Sequence, residues 1–423
     1  MKEKNVKHFT DIAVKTIGIL LLATFLGFAL LCLVYMIPEK ALSETRADMY
    51  SVMETETPGR TDTRFFSYAY GCKNNPEMFI YRLSGFAQGD PLFFKAVGEN
   101  DEGDNRYWDG FMVIVMPLMA LLSFGQIRFL FTFITFLLLW YIVTKSNERL
   151  PRYFSLSFVI GLVLINMIVN LFNVMLNMVF LVAFFFMAYM LKTYTVDTRP
   201  EKLYYLFLLN GILTTYLDRY TACLVALEMP LLLIVLINIY ENAGDSLIRN
   251  RRNIIYSVIG WGIGFSFFWF NKWVISGLVL NRSILIATFR QILMRSATNA
   301  NSSEVFIDGQ KGNRIYTIAN NIASLIPTHG ENMPVLIALV ITIILGMAGY
   351  IIYRKGSLKD IKPYYPVVFL VMLPYVYYFV FSNLCQIHAT FYMYRMQLVT
   401  VTGILYMYFE ALGNGKEKKR HQE

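Results

Sequence analysis

Four cysteines in 423 residues, none spaced as Cys-x-x-Cys, leave no thiolate metal centre to assemble. Cys72 and Cys385, both expected on the same outer side, are read as free or singly buried thiols. The chain also lacks a Walker-type phosphate loop, a Gly-x-Ser-x-Gly elbow and a His-Glu-x-x-His pair, so nucleotide-powered transport and the common hydrolase mechanisms have no parts here. Charge is scarce: 16% of residues are charged against 56% hydrophobic, far from the balance of a soluble domain. The net charge of +9 does not point to nucleic acid, because the basic residues sit in short gaps between apolar runs. No repeat and no low-complexity tract interrupts the pattern.

What the chain has instead is a series of apolar runs of bilayer-spanning length. The first, Ala13 to Ile37, ends without a small-residue cleavage site and is read as a retained span. Further runs fall at about 127–144, 154–170, 176–191, 203–217, 221–240, 254–276, 334–353, 363–382 and 394–412. Lys and Arg collect at the N-terminus, near 145–152, 192–202, 249–252 and 354–362, and in the tail 413–423. By the positive-inside rule these gaps are cytoplasmic. The expectation is one all-α integral-membrane domain, residues 1–423, with about ten spans in the cell membrane and both termini inside. Two large outer loops follow, 38–126 and 277–333. Phe111 to Phe124, interrupted by Pro117, is expected as a helix lying on the outer interface, and Leu285 to Met294 as a surface helix with Arg290 and Arg295 on a basic side.

Carboxylates and cations gather toward that outer side. Asp62 lies in the first loop, followed by Asp101-Glu102-Gly103-Asp104-Asn105-Arg106-Tyr107-Trp108-Asp109-Gly110. Asp218-Arg219 forms the turn between the fifth and sixth spans, Lys272 ends the seventh, and His388 and Arg395 stand seven residues apart in the last outer turn. Charges at membrane depth are costly, so their clustering suggests a charged ligand. A carboxylate among cations suits transfer from a phosphate leaving group, the base taking the acceptor's proton while cations hold the phosphate. Each residue also has a plainer reading. The aspartates can be solvated loop carboxylates, Asp218 and Arg219 can pair with each other, and a lone interfacial Arg commonly binds a lipid headgroup. Glu228, inside the sixth span, is read as hydrogen-bonded to a neighbouring helix.

The run Pro117 to Lys145, with Leu122-Ser123-Phe124-Gly125-Gln126-Ile127-Arg128 opening a span that closes in Tyr141-Ile142-Val143-Thr144-Lys145, resembles the second-span region of the GT-C class of integral-membrane glycosyltransferases. Asn105 to Gly110, Thr215-Tyr216-Leu217-Asp218, Asn383, His388 and Tyr394-Arg395 are similar to patterns in bacterial members associated with surface polysaccharides, although relatives often carry His where this chain has Asp109. The resemblance implies a polyprenyl-phosphate-linked sugar donor, a cell-surface glycan or teichoic-type acceptor, and an acidic base in the first outer loop. Asp62 is the first choice for that base, then Asp104 and Asp109, with Arg106 and Trp108 toward the sugar. Asp218, Arg219 and Lys272 line the site, and Arg290, Arg295, His388 and Arg395 hold the phosphate. The sequence leaves open whether a divalent metal assists, and no cofactor is otherwise implied. A flippase or transporter of lipid-linked saccharide and a polysaccharide polymerase are the alternatives.

Overall fold

The computed structural model describes residues 2–55, 76–86, 90–98, 105–241, 246–296, 313–326, 333–355, 362–389 and 391–420. Asp62, Cys72 and Asp104 lie outside the described residues. Among those described, the chain is all-helical and has no strand. The first loop and its flanks hold α1 (Lys2–Val34), α2 (Glu39–Thr55), α3 (Met78–Leu83), α4 (Leu92–Ala96) and α5 (Met112–Met119). There follow α6 (Phe124–Arg149), α7 (Arg152–Leu164), α8 (Met167–Leu171), α9 (Val174–Thr193), α10 (Pro200–Leu217), α11 (Leu224–Glu241) and α12 (Ser246–Leu280). The last part holds α13 (Ile284–Ser296), α14 (Arg314–Ala323), α15 (Met333–Lys355), α16 (Tyr365–Val380), α17 (Ser382–Ile387) and α18 (Leu398–Arg420).

Six stretches among the described residues, Thr10–Val34, Phe124–Arg149, Val174–Thr193, Leu224–Glu241, Ser246–Leu280 and Lys362–Val380, are long and apolar enough to cross a bilayer. Their surroundings differ. Phe25 on α1, Phe129 on α6 and Leu278 on α12 are 70%, 71% and 79% exposed, part of an apolar belt that water would not tolerate. In α9 and α11, by contrast, 78% and 83% of the apolar window is buried, so these two form the centre of the bundle. The chain is an all-helical membrane protein whose outer helices use lipid as their solvent.

Local sequence explains the helix boundaries. Ser123 and Gln126 form a capping box at the start of α6, Gln126 Oε1 accepting from the Ser123 N–H at 3.0 Å. Asn173 caps α9 by accepting from the Leu176 N–H at 2.9 Å, and Pro200 opens α10. Helix α12 stops where Asn281 takes a left-handed φ of 50° and the Arg282 N–H bonds to the Gly277 carbonyl at 3.2 Å, a Schellman arrangement.

The stretch from Phe111 to Phe124 is more than a surface helix: α5 buries Phe111, Met112, Val115, Met116 and Met119 against α1 and α2, while Ile114 and Leu121 stay exposed. Its apolar residues are needed on more than one side, because the helix is roofed by α2 and floored by the bundle.

The closest helix pair is α10 and α12. A Cβ at Gly260 would lie 2.3 Å from the Tyr204 carbonyl oxygen, one at Gly264 2.2 Å from that of Leu208, and one at Gly211 2.3 Å from that of Trp261. The two backbones therefore meet directly, as small residues spaced four apart allow. Gly264→Ala gains about 1 kcal/mol of helix propensity but forces a methyl into backbone, an overpacking that costs roughly 1–3 kcal/mol and has no rotamer to relieve it. The variant is expected to lower the unfolding midpoint in detergent. Gly262→Ala faces open space and is expected to leave the midpoint unchanged or slightly raised. Equal midpoints for Gly264→Ala and the parent would show that the helices are not in backbone contact.

Candidate functional site

Where α10 ends, the α10–α11 turn meets the segment 105–110 and the C-terminal third of α12. The turn cannot stay helical: Asp218 is extended (φ −115°, ψ 142°), and Tyr220 takes a left-handed φ of 63°, a strained conformation for a bulky residue. This sharp reversal points Arg219 inward. Its guanidinium forms a two-pronged pair with Asp109, Nε to Oδ1 and Nη2 to Oδ2 (2.8 Å for the latter), with the side chains 4% and 3% exposed. Asp109 is itself left-handed at φ 54°. The adjacent Gly110 is there of necessity: its N–H bonds to the Tyr216 carbonyl at 2.8 Å, and a Cβ would lie 2.3 Å from the Tyr216 ring.

Of the readings open for Asp218 and Arg219, the mutual pair does not form; Arg219 takes this longer-range partner. Asp218 instead receives the Thr221 N–H at 3.0 Å and the Thr221 hydroxyl, closing the turn that starts α11. Burial pushes the Asp218 carboxyl up to about 7, against these donors and those of the Tyr220 and Arg219 backbone, which favour the ion.

Aromatic rings surround the pair. Arg219 lies 3.9 Å over Phe79 and 5.1 Å over Tyr107. Tyr107 packs on Tyr220, Tyr220 on Trp269 (4.5 Å between centroids) and Trp269 on Trp273. Trp108 is stacked on Phe268 at 4.6 Å and donates to the Phe268 carbonyl at 2.8 Å, while Lys272, 1% exposed, stands 5.6 Å from its ring. The ring expected to meet a sugar thus packs against α12. Arg106 is half-buried, its carbonyl taking the Trp269 indole N–H at 3.0 Å.

The phosphate-binding candidates divide. Arg295, half-buried, donates to the Tyr107 hydroxyl at 2.7 Å and so joins Arg219 across one ring. His388 is close by: burial, then the Arg295 charge, lowers it to about 4, and its ring is stacked 4.8 Å from Tyr392. Arg290 does not join them. It is exposed on α13, since five residues along a helix turn a side chain well away from Arg295. Arg395 does not share a helix face with His388, because a 3-10 turn, Met393–Gln397, lies between α17 and α18. Its guanidinium, 2% exposed, is taken up by the Ile165 carbonyl at 3.2 Å and the Phe391 carbonyl.

Glu77 is a participant that no local sequence pattern announces. Fully buried, it pairs with Arg128, 51 positions away, and accepts the Val174 N–H at 2.7 Å at the start of α9, 97 positions away. Two residues on, Phe79 reaches Arg219. Tyr107, part of the Asn105 to Gly110 pattern, links both arginines, a role its sequence neighbours do not announce. Among the described residues no three His, Cys, Asp or Glu side chains converge as metal ligands would.

Below this cluster an apolar groove of about 480 Å³ opens between α1, α9 and α10. Leu26 and Leu213 line its exposed mouth, and Tyr216 and Phe268 close its end. The same two rings pack on Trp108. Those two rings therefore stand between the groove and the layer that carries Lys272 and the Asp109–Arg219 pair. Comparison of the chain with protein-family models, curated proteins and solved structures gave no match.

Asp109→Asn leaves the Arg219 charge buried without its partner and is expected to cost roughly 3–5 kcal/mol of stability, read as a lowered unfolding midpoint; Asp109→Leu combined with Arg219→Met is expected to recover much of it. Asp218, neutral more readily folded than unfolded, favours the fold fully below its unfolded value near 4 and loses that contribution as pH rises through about 7. Relative to Asp218→Asn, the parent is therefore expected to lose stability between about pH 4 and 7 and to level off above. A difference that stays constant with pH would contradict this account of the turn.

Proposed function

We propose that this chain is a GT-C-type glycosyltransferase that moves a sugar from a polyprenyl-phosphate donor to a cell-surface glycan at the outer face of the cell membrane. The observation that carries the reading is the adjacency of the apolar groove and the charged layer: Tyr216 and Phe268 line the groove and pack on Trp108, whose ring faces Lys272. A substrate with a long apolar tail and an anionic head needs both, in that order. A soluble sugar nucleotide needs no groove, and a purely apolar substrate needs no arginines.

In this reading ten helices, α1, α6, α7, α9, α10, α11, α12, α15, α16 and α18, cross the bilayer with both termini cytoplasmic. The clusters at Arg149 and Arg152, Lys192 to Lys202, Arg249 to Arg252, and Arg354 with Lys362 support that orientation, all falling at helix ends opposite the charged layer.

The isoprenoid tail lies in the groove, and the phosphate approaches Lys272, Arg219 and Arg295 from below. Asp109, whose two oxygens both engage Arg219, orients that guanidinium. The base that takes the acceptor's proton is then one of the remaining first-loop carboxylates, Asp62 before Asp104. His388, neutral at ordinary pH, can donate one hydrogen bond to the departing phosphate without adding charge. The bond between the anomeric carbon and the phosphate oxygen breaks as the acceptor oxygen bonds to that carbon, and the proton goes to the base.

The test is sugar transfer by the protein reconstituted in lipid, with labelled polyprenyl-phosphate sugars and a glycan extract. Asp62→Asn is expected to lower transfer by ~100-fold or more with folding intact, in line with loss of a general base. Transfer retained in Asp62→Asn but lost in Asp104→Asn would move the base. No transfer from any donor, with lipid-linked saccharide crossing the bilayer instead, would replace the enzyme by a flippase.

A further inference from the structure

Helix α13 has two unlike faces. One is fixed to the protein: Ile284 and Thr288 are buried, the Met294 carbonyl accepts from the Asn383 side chain at 3.0 Å, and Arg295 reaches Tyr107. The other face carries Ile286, Phe289 and Leu293, three and four residues apart and therefore in one stripe, and these are 56%, 62% and 63% exposed. This reduces the expected basic outward side to Arg290. Of the two arginines read from the sequence, Arg295 turned inward, and Arg290 stays beside an apolar stripe.

We infer that α13 lies on the outer leaflet of the bilayer, with Ile286, Phe289 and Leu293 in the acyl–headgroup boundary and Arg290 at the level of the lipid phosphates. Three observations select lipid over a protein partner. The stripe continues a surface that already faces lipid, since Ile259, Phe267 and Leu278 on α12 are 50%, 55% and 79% exposed. The Schellman stop at Asn281 turns the chain within a few residues, so α13 begins beside the last of that belt. An exposed guanidinium at Arg290, next to Phe289, provides the apolar-plus-cationic edge that phosphate-bearing membranes attract, whereas a buried protein contact would have to desolvate it.

The consequence lies on the helix's inner face. Seated on lipid by one side, α13 holds Arg295 against Tyr107 by the other, so the membrane surface itself becomes a supporting wall of the arginine layer. This inference stands on exposure and continuity and does not depend on the chemistry proposed above.

Spin labels at Phe289→Cys and, separately, Leu293→Cys, in the full chain in nanodiscs with background labelling of the parent subtracted, test it through collision with oxygen and with a water-soluble nickel chelate. Both positions are exposed, so neither substitution threatens folding. The expected result is frequent collision with oxygen and loss of collision with the chelate at both sites, matching a label at Phe267→Cys on α12. Free collision with the chelate at both sites would put the face in water and overturn the inference. Shielding from both reagents, with dipolar broadening between labelled chains, would assign the face to a second copy and overturn it equally.

Discussion

The direct backbone contact between α10 and α12 is the constraint on which the charged layer depends. Gly211, Gly260 and Gly264 remove the side chains that would hold the two helices apart, and the carbonyls of Tyr204, Leu208 and Trp261 fill the space. At this spacing the end of α10 arrives level with Phe268, Trp269 and Lys272. Arg219, Tyr220 and Tyr216 then meet those residues without a long loop to bring them there. Between lipid-facing helices there is no hydrophobic gain from association, so close packing of this kind supplies the specificity that burial supplies in water.

Onto that frame the segment 105–110 is laid as a lid, held by backbone. Gly110 bonds to the end of α10, the Asn105 and Arg106 carbonyls take hydrogen bonds from Ser276 and Trp269 of α12, and Trp108 donates into the same helix. Asp109 is thereby committed to Arg219. A buried ion pair contributes little net stability, because desolvation offsets attraction, but it fixes where a guanidinium points. Phe79, carried by the Glu77 anchor, and Tyr107 close over the guanidinium on its faces. The result is a cation held rigidly in a buried layer at the end of α10, which is a preorganised feature a flexible surface arginine could not offer.

Much of this was legible in the residues and some was not. The apolar runs marked the long helices, since the span criterion reads only length and hydropathy, and the turn at Asp218-Arg219 and the importance of Asn105 to Gly110 were visible as charges beside membrane-length runs. The Gly260-x-x-x-Gly264 spacing was also there to be read as a packing motif. The partners were not. Arg219 adjoins Asp218 in sequence and yet pairs with Asp109, because the left-handed residue at 220 turns the chain; Arg290 and Arg295 share a helix and yet face opposite worlds. His388 and Arg395 do not share a helix face for a similar reason, since Arg395 belongs to the 3-10 turn Met393–Gln397 and not to an α-helix with His388. Trp108, which by composition suits a sugar, spends its ring on α12.

The sequence by itself determined that the chain would be helical and would live in lipid, because backbone groups in hydrocarbon must satisfy each other locally and apolar runs of this length have nowhere else to go. It also determined which residues carry charge near the helix ends. Only the tertiary structure decided which of those charges meet: Asp109 with Arg219, Arg219 with Arg295 across Tyr107, Glu77 with Arg128 and the start of α9. Those contacts join positions from 51 to 188 residues apart, and no local propensity encodes such a distance. They follow from where helices of fixed length cross, which is set by glycines and ring stacks on faces that a sequence lists but does not bring together.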